Sequence, residues 1–388
     1  MRQAIDLLNQ AVGRDPSFFD AYCALAIGHD QLYFFGFDHT PARLALAEAA
    51  IHEAFRIRPN AGAAHWARAY HLYNGYLDYQ GALAELEIAH QSLPNAAGMF
   101  FLMTCIQRRQ GRWEESTRNF ERELELAPRD VNTLYNIADS YEFLRRYAEQ
   151  KSTFDRALRI EPENLNAKAE RAFVEVNWNA DTGPLHQLMD EIRTKNPAAM
   201  PKIAAWWLLC ALAERDVAAA KDALMASDEN PLRDDAVHFT RPFVEGVIAR
   251  MADDEQKARF DFSAARAEQE KTVEAQADYG PAWCVLGVID AALGRREEAL
   301  REGRCALELL PVNKDPINGA HMIKYLAIIA ALVGEKDLAC EQLATAVRHP
   351  GGLSYGQLKL MPFWDPLRGD PRFEKIVASL APKETASK

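Results

Sequence analysis

Long apolar runs are missing from this chain. No stretch of about 18 apolar residues occurs among its 388, so no segment is long and apolar enough to cross a membrane as a helix. The opening MRQAIDLLNQAVGRDP has amphipathic helical spacing and lacks the apolar centre of a signal peptide. Basic residues are in the minority: 45 Lys and Arg against 56 Asp and Glu leave a net charge of −11. That balance argues against a general binder of nucleic acid or of anionic membranes, which both need basic surface. The phosphate loop G-x-x-x-x-G-K-[ST], a G-x-G-x-x-G opening a helix, H-E-x-x-H and G-x-S-x-G are all absent. The six cysteines, Cys23, Cys105, Cys210, Cys284, Cys305 and Cys340, form no C-x-x-C pair and stand mostly among apolar neighbours, as small core residues with free thiols do. His65 and His71 are six apart and do not share one helix face, and acidic runs such as ERELE read as solvated helix faces. No enzyme is therefore expected, with no catalytic residue, no cofactor and no metal ligand. The thiols fit a reducing compartment, and the cytoplasm is the expected location; an extracytoplasmic one would follow from a membrane segment preceding this stretch.

What the chain has is a recurring proline. Pro59, Pro94, Pro128, Pro162, Pro197 and Pro231 follow one another at steps of 35, 34, 34, 35 and 34 residues. A period of about 34 residues predicts helix–turn–helix units stacked into a solenoid, each coupled to its neighbours. In the unit closing at Pro128, Phe100 opens the first helix, Gly111 makes the turn, and Trp113 and Phe120 lie on the second helix. The next unit has Leu134, Ile137, Ala138 and Tyr141 on its first helix, then Tyr147, Phe154, Ala157 and Ile160 on its second. The best-formed unit is AWCVLGVIDAALGRREEALREGRCALELLP, with Trp283, Leu286, Gly287, Gly294, Ala299, Ala306 and Pro311. Small residues let the paired helices approach, large ones at i, i+3 and i+4 fill the space between units, and glycine and proline end the helices.

These residues resemble the tetratricopeptide repeat. The resemblance implies an all-α, right-handed α-solenoid of about nine helix-turn-helix repeats with a C-terminal cap. Residues 1–16 read as the leading second helix of a truncated repeat, which suggests a piece of a longer protein. Residues 17–350 form the solenoid, irregular around 165–280, where Trp206 and Trp207 replace the usual Leu–Gly signal. One Trp is expected in the core and the other towards the groove. The 80-residue step from Pro231 to Pro311 fits two repeats with extended helices and no sheet. Residues 351–382 form the cap, with Phe363, Trp364, Leu367 and Phe373 over the open end of the core, and 383–388 a disordered tail. That ending is similar to the one found in bacterial multidomain proteins whose repeats follow a kinase, cyclase or winged-helix domain.

The resemblance also implies that first helices line a concave groove that binds a protein or peptide segment. Counting back from each proline, groove candidates are His71 and Asn74; Phe101, Arg108 and Arg109; Asn132, Tyr135, Asp139 and Glu142; and Glu170, Asn177 and Trp178. Arg108 and Arg109 suit an acidic group on the ligand, Asp139 and Glu142 a basic one, so a mixed-charge segment is expected. Phe101 and Tyr135 stand where the chaperone-tail subclass carries its lysine, which counts against a carboxylate clamp. The expected role is an adaptor within a larger bacterial regulatory or signalling protein. Two rivals remain. One is a homodimerising scaffold that uses the solenoid itself or its aromatic insert Tyr33, Phe34, Phe35 and Phe37; the other is an enzyme of the α/α-toroid type.

Overall fold

Helix pairs follow one another along the chain because each first helix ends in a residue that can adopt a left-handed backbone. In the computed structural model, which describes residues 1–94, 97–228, 230–351 and 353–382, two compact units divide at Pro128 and Arg129. In the first, α1 (Arg2–Arg14) precedes the pairs α2 (Phe19–Phe34) and α3 (Pro41–Ile57), α4 (Gly62–Tyr76) and α5 (Tyr79–Ser92), and α6 (Ala97–Arg109) and α7 (Trp113–Leu126). The second holds α8 (Val131–Phe143) and α9 (Tyr147–Ile160), α10 (Leu165–Asn179) and α11 (Gly183–Lys195), and α12 (Ala204–Glu214) and α13 (Val217–Ala226). A hairpin of β1 (Leu232–Asp234) and β2 (Val237–Phe239) comes next. It is followed by α14 (Arg241–Met251) and α15 (Glu255–Ala275), α16 (Gly280–Ala292) and α17 (Arg296–Leu309), α18 (Asn318–Leu332) and α19 (Lys336–Ala346), and finally α20 (Tyr355–Leu360) and α21 (Pro371–Leu380). Among the described residues α2 to α19 make nine pairs, the all-α repeat architecture expected.

The turn inside every pair contains one left-handed residue. Glycine supplies it at Gly36, Gly111, Gly294 and Gly334; Leu77, Arg145, Ala180, Arg215 and Asp253 supply it elsewhere. This is the usual way to end a helix, satisfying orphan carbonyls of the last turn. Asp and Thr side chains open several helices: Asp78 accepts from Gly81 N, Asp216 from Ala219 N, Asp254 from Lys257 N and Thr40 from Arg43 N. In the first unit Ile5 of α1 is buried beside Gly28, while Leu7 is exposed.

Three local expectations need correction. The hairpin was not expected: Leu232, Val237 and Phe239 alternate inward with polar residues between, and Asp235 takes the left-handed turn position, so Leu232 pairs Phe239. The 80-residue step does hold two helix pairs, but only α15 is long, and the hairpin takes up much of the rest. Trp283 is half-buried rather than a buried anchor; its indole N–H donates to the Ala277 carbonyl at 2.8 Å.

The C-terminal segment does more than cover an end. Trp364, Leu367 and Phe373 are buried and Phe363 is half-buried, as a cap requires. Residues 353–367, however, return across the second unit: α20 packs on α10, and the two-turn 3-10 stretch Pro362–Leu367 packs on α18. We call this returning segment the strap. Its own Leu353, Leu358 and Met361 are buried. Residues 383–388 lie outside the described residues.

Candidate functional site

The strap meets a polar wall built by α8 and α10. Tyr135, Asp139 and Glu142 recur at helical spacing on α8, and Glu170 and Asn177 lie two turns apart on α10, so each set shares a face. The walls are stitched together by amides. Glu142 accepts from Gln150 Nε2 at 2.9 Å and from Asn177 Nδ2 at 3.1 Å, and Asn177 Oδ1 accepts from the hydroxyl of Ser354 on the strap at 2.9 Å. Burial, then the charge of Asp139, pushes the Glu142 carboxyl up to about 7. Burial, then Asp139 and Glu142, pushes Glu170 well above the usual carboxylate range. Three half-buried acids thus share a face, and two of them, Glu142 and Glu170, hold their protons more tightly than ordinary carboxylates.

Two arginines hold the strap to this wall. Arg145 follows α8 in the left-handed turn and donates to the Leu353 carbonyl at 2.9 Å and the His349 carbonyl at 3.2 Å. Arg215 has the corresponding place after α12; it donates to the Leu360 carbonyl and grips both oxygens of Asp365 at 2.8 and 3.0 Å. Gly351 N donates to the Phe143 carbonyl at 3.2 Å. Gly356 sits so close to α10 that an added Cβ would lie 1.6 Å from the Val176 carbonyl oxygen.

A second polar group comes from β1 and α18. Lys324, buried, pairs with Asp234, and His321 Nε2 is 3.7 Å from the same carboxylate. Burial opposes ionisation of Asp234, but His321 and Lys324 outweigh it and hold the carboxyl below its ordinary value. Both ring nitrogens of His321 are buried without a hydrogen-bond partner. Asp234 and Lys324 also act on Glu142, the first raising and the second lowering its affinity for a proton.

The first unit treats its candidates differently. His71 and Asn74 are buried within the α2–α4 packing, and His71 Nδ1 is 2.8 Å from Asp30 Oδ1. Burial raises the Asp30 carboxyl to about 6 while His71 pulls it back. Arg109 is buried, its guanidinium 4.7 Å from the Phe34 ring centre, and Arg108 lies 5.7 Å from the ring centre of Phe120. Phe101, half-buried, meets Phe120 edge-on at 5.8 Å. The aromatic insert divides: Tyr33 is buried and stacked on His39, Phe34 packs towards Tyr73, and Phe35 and Phe37 are exposed.

Residues 131–164, the segment spanning α8, α9 and the turn after them, match the family model of the tetratricopeptide repeat. The chain thus contains a tetratricopeptide repeat within an all-α array of helix pairs. No curated protein matches it. Similar solved structures include pilF of Pseudomonas aeruginosa, at 20% identity over 55% of this chain and 91% of that one, TM-score 0.39. Yeast Tom70 is 14% identical over 79% of this chain and 62% of its own, TM-score 0.45. The human IFIT1 dimer with m7Gppp-AAAA is 14% identical over 79% and 67%, TM-score 0.46. At these identities and scores nothing about partners carries over.

Within the repeat array the remaining candidates are scattered. Asn132 is exposed, its amide capped by Asp130, and Tyr135 donates to Asn164 Oδ1 at 3.3 Å. Trp178 stacks on Tyr147 at 6.2 Å. Trp207 is buried, and Trp206 lies half-buried on α10 with its N–H donating to Asn166 at 3.0 Å. Of the twelve residues read from the sequence, Glu142 and Asn177 are joined by a direct hydrogen bond, and Asp139 and Glu170 join them electrostatically. Sequence reasoning missed Arg145, Arg215, Ser354 and the Asp234–Lys324 pair. The one available signal was arginine standing where other repeats carry the turn glycine.

Proposed function

We propose that this repeat array is a protein-interaction scaffold, and that the α8–α10 wall receives a lysine or arginine side chain from a partner segment. The observation that carries this reading is the gathering of Asp139, Glu142 and Glu170 on one half-buried face, with neutral amides as hydrogen-bond donors to Glu142. A cation entering there would offset the charge of Asp139 and let Glu142 and Glu170 ionise beside it, a gain that neither water nor an amide offers. The basic half of the mixed-charge segment is thus assigned to residues 129–388. The acidic half, which Arg108 and Arg109 would receive, stays a weaker part of the proposal, because both guanidinium groups already lie over aromatic rings. Membership of a larger bacterial regulatory or signalling protein rests on the likeness of the C-terminal ending alone and is part of the same proposal.

The test is a peptide array of basic, acidic and mixed-charge segments probed with the full chain, followed by titration of the best binder. Binding of lysine- or arginine-containing segments should strengthen as pH rises through about 7, because Glu142 must lose its proton. Glu142→Gln with Glu170→Gln should abolish the charge preference while the helical circular dichroism stays unchanged. Equal binding by parent and double variant, or a preference for acidic segments, would overturn the proposal.

A further inference from the structure

Where α11 packs on α12, three side chains with different donor atoms converge. His186 projects from α11; Cys210 and Glu214 are one turn apart on α12 and share a face. One ligand atom from each lies within 4.8 Å of the other two, the one such group of histidine, cysteine and acid among the described residues. His186 Nδ1 is 2.9 Å from Glu214 Oε2. Its far nitrogen, Nε2, is 3.4 Å from Asp190 Oδ2, and Asp190 is itself gripped by Arg193 at 2.6 Å. A carboxylate on the far ring nitrogen is the arrangement that fixes a metal-bound imidazole, since it decides which lone pair faces the ion. Cys210 is buried while His186 and Glu214 are exposed, so the group joins a buried sulfur to a route to solvent.

We propose that His186 Nδ1, Cys210 Sγ and a carboxylate oxygen of Glu214 form a zinc site. The mixed nitrogen, sulfur and oxygen set suits a borderline divalent cation; magnesium and calcium take all-oxygen shells. Three protein ligands leave a fourth position for water or another donor. On entry the ion displaces the thiol proton to solvent and bonds the thiolate. The imidazole carries its proton on Nε2, facing Asp190 3.4 Å away, and any second ring proton leaves to solvent. No bond to carbon changes and no electron is transferred.

Cobalt(II) reports the site directly. Added to the metal-free full chain, it should give a near-ultraviolet thiolate-to-cobalt absorption at one ion per chain, and zinc should displace it. The band should vanish in Cys210→Ser and survive in Cys305→Ser. Affinity should fall at least about tenfold in His186→Ala and about tenfold in Asp190→Asn, the usual cost of losing an outer-shell carboxylate. If Cys210→Ser loses its helical circular dichroism, His186→Ala and Glu214→Gln decide, since both alter surface side chains. Absence of the band in the parent, its persistence in Cys210→Ser, or equal affinity of the parent and His186→Ala overturns the proposal and leaves a hydrogen-bonded trio only.

Discussion

Gly294 and Arg145 hold the same place in their helix pairs and the same region of backbone space, at φ 78° and 55°. Glycine reaches that region without cost; a side chain there costs about 1–2 kcal/mol. At Gly294 the chain only turns, and nothing lies within 4 Å of where a Cβ would stand. At Arg145 and Arg215 the side chain leaves the turn and grips the strap. The same backbone problem therefore has two solutions, one cheap and inert, the other strained and employed. The lesson is that a repeat's turn is also a place from which the chain can reach across its own unit.

The contrast can be broken at the strap. Gly356→Ala forces a methyl into the Val176 carbonyl, so the strap must lift. The expected loss is at or above the top of the overpacking range, about 1–3 kcal/mol, read from denaturant unfolding. An unchanged midpoint would mean that α20 does not seat on α10. Removing the grip should cost less: Arg145→Ala with Arg215→Ala keeps both strained turns and loses the charged hydrogen bonds, about 2 kcal/mol together. Amide exchange should then quicken in 353–367. Arg145→Gly, which also relieves the turn, should cost less than Arg145→Ala. The reverse ordering would show that the turn at Arg145 holds no strain for glycine to relieve.

Smaller effects sharpen the comparison. The raised carboxyl of Glu142 favours the folded state when protonated. Its contribution is fully present below the ordinary value of 4.5 and is lost as pH rises through about 7. The midpoint of thermal unfolding should therefore fall across that window, and Glu142→Gln should flatten part of the slope; a parent profile as flat as the variant's would contradict it. Smallest is Gly294→Arg, which creates the strained turn with no strap to hold. It should lose about 1 kcal/mol. A gain in stability there would undo the distinction between the two turn types.

Much of this architecture was legible because its signals are periodic. The proline spacing, the turn glycines Gly111, Gly294 and Gly334, and the buried alternation around Phe154 all recur within one repeat length. The hairpin was not legible in the same way, because six strand residues are too few to outweigh a helical frame on either side. The aromatic residues of 351–382 suggested a cap; Trp364 and Phe373 are buried. The strap's return across α8 and α10 left no local trace, since Arg145 and Leu353 are 208 positions apart and Asn177 and Ser354 are 177 apart. The acidic wall was half legible: helical counting chose Asp139, Glu142, Glu170 and Asn177, but it also chose His71 and Asn74, which are internal. Periodicity tells which residues share a face and not whether another helix lies on it. His186 and Cys210 escaped for the same reason, being on different helices with no fixed motif between them.

A stack of repeats ordinarily melts and forms piecewise, because each unit answers only to the next. The strap changes that for residues 129–388. Contacts spanning about half the chain must wait until α8, α10 and α12 are in place, and once made they tie the unravelling of the last repeats to that of the first. This unit should therefore refold late and slowly and unfold in one step, whereas strapless repeats of the same length would fray from their ends.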